Sequence, residues 1–454
     1  MKKYTSLLHT IVLGFFCLNL SSCKKFLDEK PDKKLVVPST LRDLQALLDY
    51  NNVISQLDPV ADELSSDNYY LLTSTWQSSL KETERRAYIW GEDIFEPAGN
   101  DWGNLYRKVY YANTVLEAIE NIERSSGNSA EWDNVKGQAL MIRAKAFLQA
   151  VNIWSVAYNA ATAQADLGIP LRLNTDFNEP TTRPSVQQTY DQLLSDFREA
   201  IPLLPVTPVH SSRASKPAAF GLLARAYLSM RNYTKAGEYA DSALKLNSTL
   251  LNYNNLNASA PFPVPAFNAE ILFWNIAFQL PLVQAYAKVD SVLYRSYAAN
   301  DCRKTVLYSV NADGSIAFKG SYISGNGALF TGIATDEIYL MRAEAFARAG
   351  NTSAALTDLN TLLQQRMKTG TFVPVTASSP DAALALVINE RRKELPFRGI
   401  RWMDIKRLNR EGAAITLTRF INNTTYSLIP NEPRYALPIP ENVISISGML
   451  QNPR

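Results

Sequence analysis

Three segments far apart in the chain share one pattern, small residues flanking a charged residue and then an aromatic. They are Arg143-Ala144-Lys145-Ala146-Phe147, Leu223-Ala224-Arg225-Ala226-Tyr227 and Arg342-Ala343-Glu344-Ala345-Phe346. A patch of small residues followed by an aromatic lets a neighbouring helix approach closely, so its return points to helix-pair repeats and a mostly α fold. Apolar stripes agree: Leu41, Leu44 and Leu48 within Leu41 to Asp49, and Leu105, Val109, Ala112, Leu116 and Ile119 within Trp102 to Ile122.

The middle copy is the clearest. Leu223, Ala224, Tyr227, Ala236 and Ala243 fit the spacing of a tetratricopeptide unit, with Arg231-Asn232-Tyr233 as its turn. The interval from Tyr227 to Ala236 returns between Phe346 and Ala355. Because the copies lie much farther apart than one repeat, insertions must separate them, and insertions are where such folds place recognition. Helix pairs are expected over about 102–160, 185–247, 335–366 and 381–410, with an irregular, β-containing insertion over about 252–335. Ser185 with Gln188 forms a capping box, and Ser379-Pro380-Asp381 starts another helix. Thr305 to Lys319 reads as a β-hairpin turning at Asn311 to Gly314. From Asp58 to Asn100 periodicity is lost and aromatics gather, so this region is expected to be loop-rich.

Met1-Lys2-Lys3 followed by the apolar Leu7 to Leu20 reads as an export signal too short to be a permanent span. It ends in Leu20-Ser21-Ser22-Cys23, which resembles the box cut by the bacterial lipoprotein signal peptidase. Residues 1–22 are then a signal peptide, Cys23 carries acyl chains such as palmitate, 23–40 form a lipidated tether and 41–454 a single domain. Each buried methylene adds about 0.8 kcal/mol to anchoring. With Cys17 in the leader and Cys23 acylated, Cys302 is alone and no internal disulfide can form. The fold must rest on its core, which 454 residues at 46% hydrophobic can supply.

Function classes narrow quickly. Lys and Arg number 46 against 43 acids, nearly balanced, and no nucleic-acid partner is indicated. His9 lies in the leader, leaving His210 as the single histidine, so a His-built zinc site is excluded and a Ser-His-Asp triad would depend on one loop residue. No phosphate-binding glycine loop is present. Asp62-Glu63 and Glu92-Asp93 could be glycosidase pairs, but structural and solubility roles suit them better. Calcium could use Asp67 and Asn68, without EF-hand spacing. The expectation is no enzyme, no catalytic residue, no metal and no cofactor.

Asn389 to Arg410 is the densest stretch. A helix from about Asp381 to Leu395 is interrupted by Pro396 and Gly399, and a second follows on Trp402, Ile405 and Leu408. Arg401 with Asp404, and Asp404 with Arg407, sit three apart on one face. The arginines could form an anion site, but Glu390, Glu394 and Asp404 favour an ion-pair network beside a buried Trp. Glu390 to Arg407 resembles the "ERR-E-L-F-G-RW-D-KR" motif of the SusD/RagB nutrient-binding lipoproteins of Bacteroidetes. Phe267 to Phe273, containing Glu270, resembles the family's "n-E-I-F" segment, and Asp301-Cys302-Arg303 its "D-P-R", with Cys where Pro is usual. Tyr339 to Ala345, Ala436 to Pro440 and Gln451-Asn452-Pro453 continue the likeness across almost the whole mature chain, with Arg454 replacing the usual Gly-Tyr.

The resemblance implies a SusD-like fold and a lipid-anchored outer-membrane protein facing the cell exterior. It would bind oligosaccharides, or in some members peptides, and deliver them to a SusC-like TonB-dependent transporter during polysaccharide utilisation. On the matching positions, Glu270, Asp301, Arg303, Glu344, Arg391, Arg392, Glu394, Arg401, Trp402 and Asp404 are expected to be structural. Sugars stack on rings and hydrogen-bond to polar side chains. By loop placement and residue type, the ligand candidates are Asn68, Tyr69, Tyr70, Trp76, Tyr88, Trp90 and Trp274, whereas Trp102, Trp154 and Trp402 fall on core stripes. The rival is a tetratricopeptide-like scaffold for other proteins.

Overall fold

A computed structural model describes residues 38–278 and 282–454; the leader, Cys23 and the tether to residue 37 lie outside the described residues. The chain enters on α1 (Leu41–Leu48), opened by a Thr40–Asp43 capping box and burying Leu41, Leu44 and Leu48. Then follow α2 (Asn51–Ile54), α3 (Ala61–Ser65), β1 (Tyr69–Tyr70), α4 (Thr73–Ser78) and α5 (Glu82–Tyr88). The region expected to be loop-rich thus carries short helices, each at most two turns long and too brief to display a period.

The repeat helices start with α6 (Asp101–Ile119) and α7 (Ser129–Trp154). Next come α8 (Val186–Leu203), α9 (Lys216–Ser229) and α10 (Tyr233–Leu246), whose N-termini are capped by Ser185, Ser215 and Asn232. The insertion contains β2 (Ile271–Phe273), β3 (Ile276–Phe278), β4 (Lys288–Val289), α11 (Ser291–Arg295) and α12 (Arg303–Val306). It continues through β5 (Tyr308–Val310), β6 (Ile316–Phe318), β7 (Ala328–Phe330) and β8 (Ile333–Ala334). The expected hairpin is β5 with β6, Tyr308 opposite Phe318, turning through Gly314 at φ 80°. More pairing surrounds it than the sequence reading foresaw: β2 pairs with β8 and β3 with β7, one inside the other, while β4 pairs with β1.

The chain closes with α13 (Thr335–Arg348), α14 (Thr352–Gln364), α15 (Pro380–Glu394), α16 (Arg401–Asn409), the hairpin β9 (Leu417–Ile421) and β10 (Thr424–Leu428), and α17 (Glu441–Ser447). From α6 to α10 each repeat helix packs on the next, α10 packs directly on α13, and α13 packs on α14 and α15. The insertion therefore leaves the stack and returns to it without breaking it. Ala144, Ala224, Ala226 and Ala343 of the recurring patches are fully buried at these contacts. Among the described residues, no helix is long and apolar enough to cross a membrane.

Candidate functional site

The charged stretch forms the end of α15, a link through Gly399 at φ 67°, and α16, with most of its charges turned inward. Arg303 reaches Asp301 and Glu394 at 2.6 Å each, and Glu394 reaches Arg366, which pairs with Glu270 at 2.7 Å. Arg391 pairs with Asp404 and Asp404 with Arg407 at 2.8 Å, and Arg407 grips both oxygens of Glu344 at 2.6 and 2.8 Å. Burial lifts the Asp404 carboxyl, but Arg391 and Arg407 outweigh it and hold the group below its usual range. Arg401 departs from the expected contact with Asp404: both its bonds go to Asp67, at 2.7 and 2.8 Å, and Arg392 joins the same carboxylate at 3.2 Å. Asp67 is thus engaged by arginines, not arranged for calcium. Trp402 is buried against Tyr435, ring centroids 4.9 Å apart. The arginines face carboxylates, so the network ties the insertion, α13, α15, α16 and the segment around Asp67 into one body.

Most of the aromatic candidates require correction. Tyr69, Tyr88 and Trp90 are each 1% exposed, and their rings surround the Arg419 guanidinium of β9 at 5.1, 4.5 and 5.3 Å. A buried cation gains from ring faces, so these residues hold the C-terminal hairpin and offer no open face to a ligand. Asn68 is buried between Glu63 and Arg392, to both of which it hydrogen-bonds. Trp274 is buried beside Phe267, centroids 4.8 Å apart. Tyr70 is exposed, and Trp76 is half-buried with Arg85 over its ring, so these two keep accessible surface. His210 Nδ1 contacts Ser212 through both hydroxyl and N–H, a local turn. Asp62 and Glu63 are buried, and burial raises the pKa of both.

The early helical region and the insertion meet across a cleft of about 310 Å³. The Asp58 N–H donates to Ile276 O at 3.1 Å and the Ile276 N–H to Ser55 O at 2.7 Å, sewing β3 onto this segment. That seam carries Phe278, 55% exposed, to the mouth of the cleft. Ala61, Leu64, Ala87 and Ile94 form an apolar floor, while Lys81, Glu84, Glu96, Asn100 and Asn104 add polar groups. Thr83 donates to Glu96 at 2.6 Å, and Asp101 accepts the Val60 and Ala61 N–H groups at 2.9 Å each, its pKa lifted by burial. Asp58 is paired with Lys108 and Lys145; burial raises its pKa but the two ammoniums outweigh it and hold it well below normal, while burial pushes Lys145 down to about 8. A ring at the mouth, an apolar floor, and carboxylates and amides at the wall can stack on and hydrogen-bond to a polyhydroxylated ligand. The sequence reading missed Phe278 and the polar wall; the run Ile276-Ala277-Phe278 was the available signal.

A wider groove of about 880 Å³ lies between the α9–α10 turn and the end of α13, lined in part by Tyr158, Tyr233 and Arg348. Arg348 there is matched by Glu344 at 3.0 Å and Glu411 at 2.6 Å. The smaller cleft is the better candidate because two segments outside the repeat stack, the early helical region and the insertion, converge on it.

Residues 25–228 match the family model described as starch-binding associating with outer membrane, and residues 335–454 match the SusD family model. A SusD superfamily protein from Bacteroides vulgatus is similar at a TM-score of 0.74 and 21% identity, over 91% of this chain and 99% of that one. Another from Bacteroides thetaiotaomicron gives 0.73 and 20%, over 91% and 100%. A SusD-like carbohydrate binding protein from Bacteroides vulgatus gives 0.66 and 20%, over 90% and 96%. No curated protein sequence matches the chain. With family models matching both ends, and a fold shared along nearly all of its length, the chain belongs to the SusD/RagB family.

Proposed function

We propose that the protein captures nutrient oligomers, foremost glycans, at the cleft beneath Phe278 and passes them to a SusC-like TonB-dependent transporter for import across the outer membrane. Lipid on Cys23 would hold it at the membrane, facing outward, with 23–40 as the tether and 41–454 as the binding domain. The observation that carries the reading is an exposed ring over an apolar floor with carboxylates and amides at the wall. Starch binding and outer-membrane association in the family description, and carbohydrate binding in the name of a structural relative, support it. The task is binding, without bond-breaking.

Calorimetric titration of soluble glycans into the protein and into Phe278→Ala tests this. Loss of one stacked ring should weaken binding by about tenfold at unchanged melting temperature; equal affinities would sink the assignment. A peptide ligand is the second reading, because Glu84, Glu96 and Asp101 outnumber Lys81 around the cleft, which suits basic side chains. Binding of Lys- and Arg-rich peptides in place of glycans would select it. A folded protein that binds neither class would favour the scaffold role.

A further inference from the structure

A third cavity, about 320 Å³, lies against a different stripe of α6 from the one that borders the cleft. Asp101, Asn104 and Lys108 point toward the cleft and its floor, whereas Trp102, Tyr106, Val109 and Asn113, at helical spacing, line this other space. The loop after Pro170 and the helix α17 complete it. Its mouth is apolar on both sides: Phe177, 79% exposed, stacks on Tyr110 with centroids 5.1 Å apart, and Ile446, 85% exposed, stands on α17.

The geometry points to a preformed binding site for a planar aromatic group of about two fused rings. Three observations carry this. First, most of the polar side chains around the cavity are already engaged with the protein. Tyr106 donates to Pro170 O at 2.8 Å, and Asn113 donates to the carbonyls of Arg172 and Asn174 at 3.0 Å each while accepting from Arg143. Arg172 in turn donates to the carbonyls of Glu179, at 2.7 Å, and Asp176. A sugar of this size would find few partners for its hydroxyls, whereas a ring needs none. Second, the same bonds hold the loop in one shape, so Phe177 is fixed in its exposed position before any ligand arrives, which lowers the ordering cost of binding. Third, the volume fits: a dry apolar cavity of about 150 Å³ takes up benzene, and this one is roughly twice as large.

The test is calorimetric titration of 2-naphthol into the full chain, beside Phe177→Ala and Ile446→Ser. Both substitutions lie at exposed positions, so folding is not at stake, and unchanged melting temperatures verify that. The expected result is saturable binding at one site, weakened about tenfold by each substitution and not displaced by maltose. No binding, binding indifferent to both substitutions, or displacement by maltose would overturn the assignment. Binding of a tryptophan-bearing peptide without binding of naphthol would also overturn it, in favour of a protein partner.

Discussion

At the residue scale, burial decides what each charged side chain does. Glu344 and Arg407 are both buried and meet through two bonds, and each keeps one further partner, Arg348 and Asp404 respectively, so removing either should cost less than the about 3–5 kcal/mol of a buried charge left wholly unpaired. Lys406 is the opposite case. It is buried on α16, donates to the carbonyls of Asn152 at 2.7 Å and Ser155 at 2.6 Å, and burial followed by Arg410 pushes its pKa down from 10.5 to about 7. Since the folded protein releases this proton more readily than the unfolded chain, the contribution to stability is complete above pH 10.5 and disappears as pH falls through about 7. From pH 7 to 10, the native protein should therefore gain stability relative to Lys406→Met, by up to about 1.4 kcal/mol per pH unit. Urea unfolding of both proteins at pH 7, 8 and 9 checks this; parallel stabilities would mean that Lys406 stays charged throughout.

At the element scale, the junction of α10 and α13 keeps the helical stack continuous past the insertion. A Cβ on Gly237 would lie 2.7 Å from the Ala345 Cβ, and neither rigid stub can turn away. Alanine normally favours a helix over glycine by about 1 kcal/mol, but forced overpacking costs about 1–3 kcal/mol. Gly237→Ala should thus destabilise the protein alone and stabilise it in an Ala345→Gly background. A denaturant double-mutant cycle measures the coupling, and stabilisation by the single substitution would show that the helices are not in contact there. Helix existence and caps were legible in advance because they depend on neighbours three or four residues away, as at Ser185 with Gln188. The strand pairs β2–β8 and β1–β4 were not legible, because their partners lie far apart in the chain and each strand is too short to show alternation.

At the scale of the molecule, ion pairs bind the insertion to the stack: Glu270 with Arg366 and Arg303 with Glu394. The insertion and the repeat helices should consequently open together. Hydrogen exchange read on peptides covering 271–278 and 335–348 should give one common opening free energy, whereas earlier release of the first would mark the insertion as a separate unit. The sequence by itself determined the repeat helices, the charged motif and the family it resembles, because periodicity, capping and motif spacing are local properties. Tertiary structure alone decided which rings are open to solvent. Tyr69, Tyr88 and Trp90 look like a ligand surface until Arg419 enters from the far end of the chain, and Arg401 looks paired with Asp404 until Asp67 takes its place. Phe278 becomes a candidate only when β3 is sewn to Ser55 and Asp58. The physical reason is the same each time: exposure and ion-pair choice are set by whatever the rest of the chain brings alongside, and residue spacing carries no record of it.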